Sequence, residues 1–290
     1  MPLKPTYEIT QGPAAVSFAD YANQASRAFY DLLAESPEEP RVQAFLEAHP
    51  AFVPGSRSPG GATCASPLFH VLVSQPRLPG LDARQPDFLW FTTTSSTWYP
   101  VLIEIEKPSK RLFKKNREPS AEFYQARNQL SQWRTWFGHA FNQLKFQHDY
   151  GVPDTWVHCR AMSLHMILVY GRREEFEYDA KLSNQRASLL PGNDEELMSF
   201  DRLAPDPLLS AALTVRAVGG GRYRALRVPP TFTHGPFHAE RLLFIDGLTE
   251  AIEASAGWTP VRQAFVKTRI PYWREWAKLK KKGWISGGRE

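Results

Sequence analysis

Apolar residues recur at helical spacing near the start of the chain. Tyr21, Ala25, Phe29 and Leu32 fall about one turn apart and predict a helix over residues 18–33. Ser36-Pro37-Glu38-Glu39, with Val42, Phe45 and Leu46 behind it, predicts a second helix over 37–48. There the serine is the N-cap, Pro37 opens the first turn and Glu39 completes a capping box. His49-Pro50 ends that helix, and 54–67, rich in Gly, Ser and Pro, is a loop. The pattern then becomes that of extended chain. Strands are predicted at 69–74, 87–91 and 101–106, the last two joined by the polar stretch Thr92 to Thr97, so that the three make a meander.

Helical spacing returns over 121–147, with Ala126, Leu130, Trp133 and Phe137 on one face and Gln125, Gln129 and Gln132 on its neighbour. The apolar run 162–170 is short enough for a buried strand. Residues 174–190 read as partly helical and 197–203 as one more strand. Past Pro205, strands at 213–218 and 223–228 flank Gly219-Gly220-Gly221 as a hairpin. Helices follow over 239–254 and 259–281, the latter kinked or broken at Pro271. This order predicts an α/β (mixed α+β) class, a central mixed sheet flanked by helices. The expected divisions are an N-terminal helical segment at 1–35, a core at 36–205, and a C-terminal hairpin and helical extension at 206–290.

Composition narrows the class. Of 290 residues, 42% are hydrophobic and 13% aromatic, enough to build a core and to exclude disorder and low-complexity classes. Thirty-five Lys and Arg against 30 Asp and Glu leave +5, which permits an anionic partner without demanding one. Cys64 and Cys159 are far apart and lack metal-ligand spacing, so neither a disulfide framework nor a structural zinc is expected, and the cytoplasm is the expected location. With no signal-peptide pattern and no apolar run near the roughly 18 residues of a membrane span, no membrane partner is expected.

In Val101-Leu102-Ile103-Glu104-Ile105-Glu106-Lys107-Pro108, alternation puts Val101, Ile103 and Ile105 on one face of the strand and Glu104 and Glu106 on the other. Two such charges about 4 Å apart repel by roughly 4 kcal/mol at an effective dielectric of 20, so a cation is expected between them. Asp87 joins their face only if it pairs opposite one of them; opposite Ile105 it would point to the other side, and the sequence leaves that register open. If the condition holds, three carboxylates supply the oxygen ligands that Mg2+ or Mn2+ prefers. The competing readings are a solvated strand face for Glu104 and Glu106, a strand-start residue for Asp87 and a helix cap for Glu39. Lys107, Lys110, Arg111, Lys114, Lys115 and Arg117 form a basic stretch that either tracks a phosphate backbone or is an ordinary surface loop. Gln125 and Gln129 face the carboxylates or solvent; Arg172 and Arg173 bind phosphate or pair with Glu174 and Glu175. Trp273, Trp276 and Trp284, beside Lys278 and Lys280 to Lys282, favour an amphipathic packing helix over base stacking. Nothing near His158 or His165 completes a metal site.

Pro86-Asp87, a short hairpin, a Glu-x-Glu strand and a glutamine-bearing helix together resemble the PD-(D/E)xK nuclease superfamily. More narrowly, several motifs in order resemble the Shedu antiphage nucleases. They are Glu39-x-x-Val42-Gln43-x-Phe45-Leu46, Val73-Ser74-Gln75-Pro76-Arg77-Leu78, Pro86-Asp87-Phe88, Glu104-Ile105-Glu106-Lys107-Pro108, Gln125-Ala126-x-x-Gln129-Leu130-x-x-Trp133, Tyr170-Gly171-Arg172-Arg173-Glu174 and Phe200-Asp201-Arg202-Leu203. The resemblance implies a PD-(D/E)xK restriction-endonuclease-like core and a metal-dependent DNA endonuclease using Mg2+ or Mn2+ on phage or foreign DNA. It also implies a homo-oligomer, dimer or tetramer, to which the tryptophan-rich C-terminus would contribute. In that pattern Asp87 and Glu104 hold the metal, Glu106 helps bind it or accepts a proton from water, and Glu39 is a further ligand. Gln125 assists at the site, while Lys110, Arg111, Lys114, Lys115, Gln129, Arg172 and Arg173 meet the nucleic acid. Glu106 stands where the superfamily usually has lysine, so Lys107 or Lys110 needs a bulge or a return path to supply the missing cation. The alternatives are a nucleic-acid-binding or assembly protein that kept this fold and lost catalysis, and a scaffold with no nucleic-acid affinity.

Overall fold

The computed structural model describes residues 7–57, 67–81, 85–189, 192–279 and 288–290. Its centre is the meander, β1 (Val71–Ser74), β2 (Phe88–Thr93) and β3 (Thr97–Ile105), each antiparallel to the next. On one side β4 (Ala161–Met162) and β5 (His165–Val169) run parallel to β3, and β6 (Glu195–Met198) runs parallel to β5. On the other, β7 (Leu213–Gly219) runs parallel to β1, pairs antiparallel with β8 (Arg222–Arg227), and β9 (Ile245–Asp246) follows. The result is one mixed sheet ordered β6-β5-β3-β2-β1-β7-β8-β9, with β4 beside β3. Helices α1 (Phe18–Ala34) and α2 (Glu39–Ala48) cover one face; α3 (Ala121–Phe137), α4 (Ala140–Tyr150) and, farther along, α8 (Pro260–Lys278) cover the other. Short helices α5 (Asp154–Cys159), α6 (Ala180–Ala187) and α7 (Leu248–Glu253) lie between them in sequence.

Alternation along β3 sends Val101, Ile103 and Ile105 into the core under α1 and α2, and Leu102 into the core under α3. The buried stripe of α3, Phe123, Ala126, Leu130 and Trp133, seats it on the sheet. Each large side chain so buried contributes about 1.5–3 kcal/mol. Pro100 sits inside this central strand without harm. The neighbouring ladder breaks there, since β4 pairs with Thr97 and Trp98 and β5 resumes at Val101, so no partner lies opposite the missing N–H.

Several expected boundaries move. Leu33 rather than Leu32 completes the buried stripe of α1, because 21, 25, 29 and 33 keep a strict four-residue step. The long helix of 121–147 is two, broken at Gly138-His139. Thr92 and Thr93, expected in a loop, belong to β2 and are buried, so the hairpin turns only at Thr94 to Ser96. Phe200 enters the core from a 3-10 turn rather than from a strand. The helix expected at 239–254 is a 3-10 segment Pro236–Leu243, then β9, then α7, because Ile245 is buried at the sheet edge and Gly247 turns with φ +72°. Helix α8 runs continuously through Pro271 rather than breaking. Trp273 and Trp276 are buried, Trp276 edge-on to Tyr7 at 5.2 Å, so they pack the fold and are not an outward assembly surface. Cys64, Lys280 to Lys282 and Trp284 lie outside the described residues, and Cys159 is an exposed thiol. Among the described residues no helix is long and apolar enough to cross a membrane.

Candidate active site

The register that the sequence left open is set by β2 and β3. Their ladder ends with Phe88 opposite Ile103, and one residue beyond it the carboxyl of Asp87 lies against that of Glu104. Backbone contacts hold it there: Asp87 N donates to Ile103 O at 3.0 Å, and Ile105 N donates to Asp87 Oδ2 at 2.8 Å. Asp87 therefore shares the face of Glu104 and Glu106. The same face meets α3, whose start is fixed by Ser120, its Oγ accepting from Phe123 N at 3.1 Å. Two turns in, Gln129 Nε2 donates to Glu104 Oε1 at 2.6 Å.

Glu104 is 8% exposed and Glu106 9%, so neither carboxylate is a solvated strand charge. Burial pushes the Asp87 carboxyl up to about 7; the nearby charges of Glu39 and Glu106 act in the same direction, while the Ile105 amide opposes it. Glu104 is raised well above the ordinary carboxylate range, first by burial and then by the charges of Asp87, Glu106 and Glu39. Glu104 Oε2 is buried and has no donor while both groups are ionised. A proton shared between the two carboxyls is the arrangement that eases their repulsion.

Lys110 is the cation nearest this group. Strand β3 ends at Ile105 and the chain turns, Lys110 N donating to Lys107 O at 3.0 Å. That turn carries the Lys110 ammonium back onto Glu106 Oε2. Lys107, on the opposite side of the strand, pairs with Glu38 instead. The capping box expected at Ser36 is absent: Ser36 has φ +51°, which is not N-cap geometry, and Glu38 is the N-cap residue without a side-chain cap. Glu39 is thus free of the structural task that the sequence offered it. It is half-buried, and its carboxyl is raised by burial and by Glu106, with Lys110 pulling the other way.

The remaining candidates are more dispersed. Gln125 is exposed on α3, and its side chain makes no hydrogen bond among the described residues. Arg111 is 72% exposed above Glu175, whose carboxylate accepts from Leu112 N and Phe113 N; Lys114 approaches Glu118 at 3.8 Å, and Lys115 is exposed. Arg172 pairs with Asp201 rather than with Glu174 or Glu175, and it also donates to Leu33 O. Arg173 is exposed, with its backbone N on Asp201. A cleft of about 480 Å³ opens beside the cluster between Ser109, Lys110 and Arg111 on one wall and Ser36 and Arg172 on the other. The contacts of Glu38, Glu175 and Asp201 had no signal in the sequence, since each joins segments that only the fold brings together.

Among the described residues no group of three or more His, Cys, Asp or Glu side chains is arranged to hold a metal ion. The donor chemistry of the Asp87–Glu104 pair nonetheless fits a hard divalent cation: anionic oxygens, the orphaned Oε2, and a repulsion that a dication would reverse.

No curated protein and no solved structure matches the chain. The family model described as Shedu protein SduA, C-terminal, matches residues 36–204, more than half of the chain. Every carboxylate of the cluster falls inside that match, and the chain belongs to the Shedu family, which points to a role in antiphage defence.

Proposed function

We propose that this chain is a metal-dependent DNA endonuclease with a PD-(D/E)xK core, acting on phage or other foreign DNA. The observation that carries the reading is the pair of the half-buried Asp87, just before β2, and the buried Glu104 on β3, without a cation between them. The order from α2 through three strands and the helices α3 to α5 to the paired strands β4 and β5 supports it.

A Mg2+ or Mn2+ ion held by Asp87 and Glu104 would polarise the scissile phosphodiester and make a water acidic enough to attack it. The chain's own groups do the rest. Gln129 fixes Glu104 Oε1, so that Oε2 would be the oxygen left to hold the cation. Glu106 stands in the position of the superfamily lysine and is bridged to Lys110. A glutamate with an ammonium at hydrogen-bond distance spans roughly the reach of one lysine side chain, so Lys110 supplies the positive charge that the motif lacks. Lys110 then stabilises the charge developing on the phosphate, and Glu106 holds the ammonium in place and takes the proton of the attacking water. Lys107, engaged with Glu38, has no part in this step.

The substitution at Glu106 is also the observation that favours a second reading, a nucleic-acid-binding protein without catalysis. Incubating the purified chain with supercoiled and linear duplex DNA, in Mg2+, in Mn2+ or in EDTA, separates the two. The nuclease reading expects metal-dependent strand breaks that Glu104→Ala abolishes. DNA binding with no breaks under any metal would leave the second reading standing.

A further inference from the structure

A second cationic surface lies outside the stretch matched by the family, on the hairpin of β7 and β8. Arg216 and Arg224 stand directly opposite each other across it, and both are exposed. Like charges facing each other in an antiparallel pair destabilise a sheet, so folding alone gives no reason for this pairing. Neither makes an ion pair among the described residues. Asp246, the register neighbour of Arg224, is taken by Arg222 at 2.6 Å. Arg216 instead donates to the neutral Gln75 Oε1 at 3.0 Å. This differs from Arg57, Arg134 and Arg172, each of which is matched to an acid.

The hairpin is placed where such charge has a use. Gln75 follows the last residue of β1 and adopts φ +47°, a conformation uncommon for a residue with a side chain. Its N donates to Asp87 O at 2.8 Å, so the residue that holds Arg216 is bonded to the residue that carries the acid. Strand β7 lies two strands from β2, about 10 Å away. Arg216 also lines a cleft of about 570 Å³ with Arg77 and Lys145, where the one acid, Asp149, is held by Lys145. The basic turn at Lys110 and Arg111 follows β3, on the other side of Asp87.

We propose that the β7–β8 hairpin, through Arg216 and Arg224, is a second contact surface for the phosphate backbone of nucleic acid, so that one duplex is gripped on both sides of the carboxylate cluster. The choice of nucleic acid over an acidic protein rests on the nuclease reading and on the bond between Gln75 and Asp87.

The test uses the full chain in EDTA, which prevents cleavage, and a 30-base-pair duplex titrated at several KCl concentrations. Arg216→Ala with Arg224→Ala lowers the slope of log affinity against log salt by about 1–2, since each phosphate contact contributes roughly 0.9. Arg224→Glu, which places opposite charges across the hairpin, raises the melting temperature while weakening DNA binding by about tenfold or more. Arg224→Lys keeps both properties close to wild type. Unchanged slope and affinity in the folded double variant and in Arg224→Glu, beside a wild type that binds DNA, would overturn the hairpin contact and leave the nuclease reading intact; an acidic protein would then be the better-matched partner. A wild type without salt-dependent DNA affinity would overturn both.

Discussion

Two pairs of acids lie against this sheet, each with one buried glutamate, and the protein treats them in opposite ways. At the start of β6, Asp194 and Glu195 share Arg134, which reaches both carboxylates of Asp194 and Glu195 from α3, although Glu195 is only 1% exposed. Burial alone would push Asp194 up, but the hydrogen bonds and charge of Arg134 outweigh it and hold the carboxyl below its ordinary range. Asp201 is drawn down in the same way by Arg172 against the effect of burial. At the end of β3, Asp87 and Glu104 face each other with no arginine, and both are raised. The fold can place an arginine against a buried acid and does so at β6, two strands from β3. Leaving the central pair unmatched is therefore a property of the site, and it suits a ligand that brings its own positive charge.

The contrast breaks most sharply under substitution of one acid or its partner. Glu104→Gln is expected to reduce metal-dependent cleavage by more than about 100-fold, since even groups behind a metal ligand are worth about 10–100-fold. It should at the same time raise the metal-free melting temperature, because it removes a charge repulsion. Arg134→Ala should do the reverse, destabilising the fold by about 1–3 kcal/mol through the unsatisfied Glu195 while cleavage by the folded fraction persists. Denaturant titration and cleavage kinetics on both variants check the pair of outcomes. Next in size, Lys110→Met should reduce the cleavage rate by about 100-fold, and Lys107→Met should leave it unchanged. Comparable losses from both would remove Lys110 from its assigned place.

Much of this was legible in the sequence. The alternation over 101–106 put two glutamates on one face because a strand has a period of two, and the stripe of α3 fixed which helix would cover them. The helix-strand order from 37 to 170 and the triple-glycine hairpin were likewise readable from period and turn chemistry. What escaped was set by tertiary contact. The register of Asp87 depends on a hairpin that turns within Thr94 to Ser96, two residues tighter on the first strand than polarity suggested. Ser36 carried every local sign of an N-cap, yet the exit from α1 takes it through a left-handed turn. The choice between Lys107 and Lys110 rests on one turn after β3, and the pairing of Arg172 with Asp201 on a return from a residue 29 positions along the chain. Propensity describes neighbours in sequence, and these are neighbours only in space.

Gln129→Ala, which frees Glu104 Oε1, should slow cleavage by about 10–100-fold, whereas the exposed Gln125→Ala should not. Steady-state rates on a single duplex decide between them. Proton linkage gives a further difference. Asp87 and Glu104 hold protons more tightly folded than unfolded, so their contribution to stability is fully present below the ordinary carboxylate value near 4; the part due to Asp87 is lost as pH rises through about 7. In EDTA the melting temperature should fall between pH 5 and 8, and Asp87→Asn should remove most of that fall. A wild-type profile already flat over this range would mean that the pair is not strained in the folded state.

If the unmatched carboxylates of Asp87 and Glu104 form a divalent cation site, calorimetric titration of Mn2+ into the metal-free protein at pH 6, repeated in buffers of different ionisation enthalpy, will show it. A pair that holds a proton without metal must release it on binding, so the heat should vary with buffer in proportion to about one proton released. Asp87→Asn should abolish both the binding and the proton release, while Glu195→Gln should change neither. Saturable binding of equal strength in wild type and Asp87→Asn, or no binding in wild type, would contradict the account.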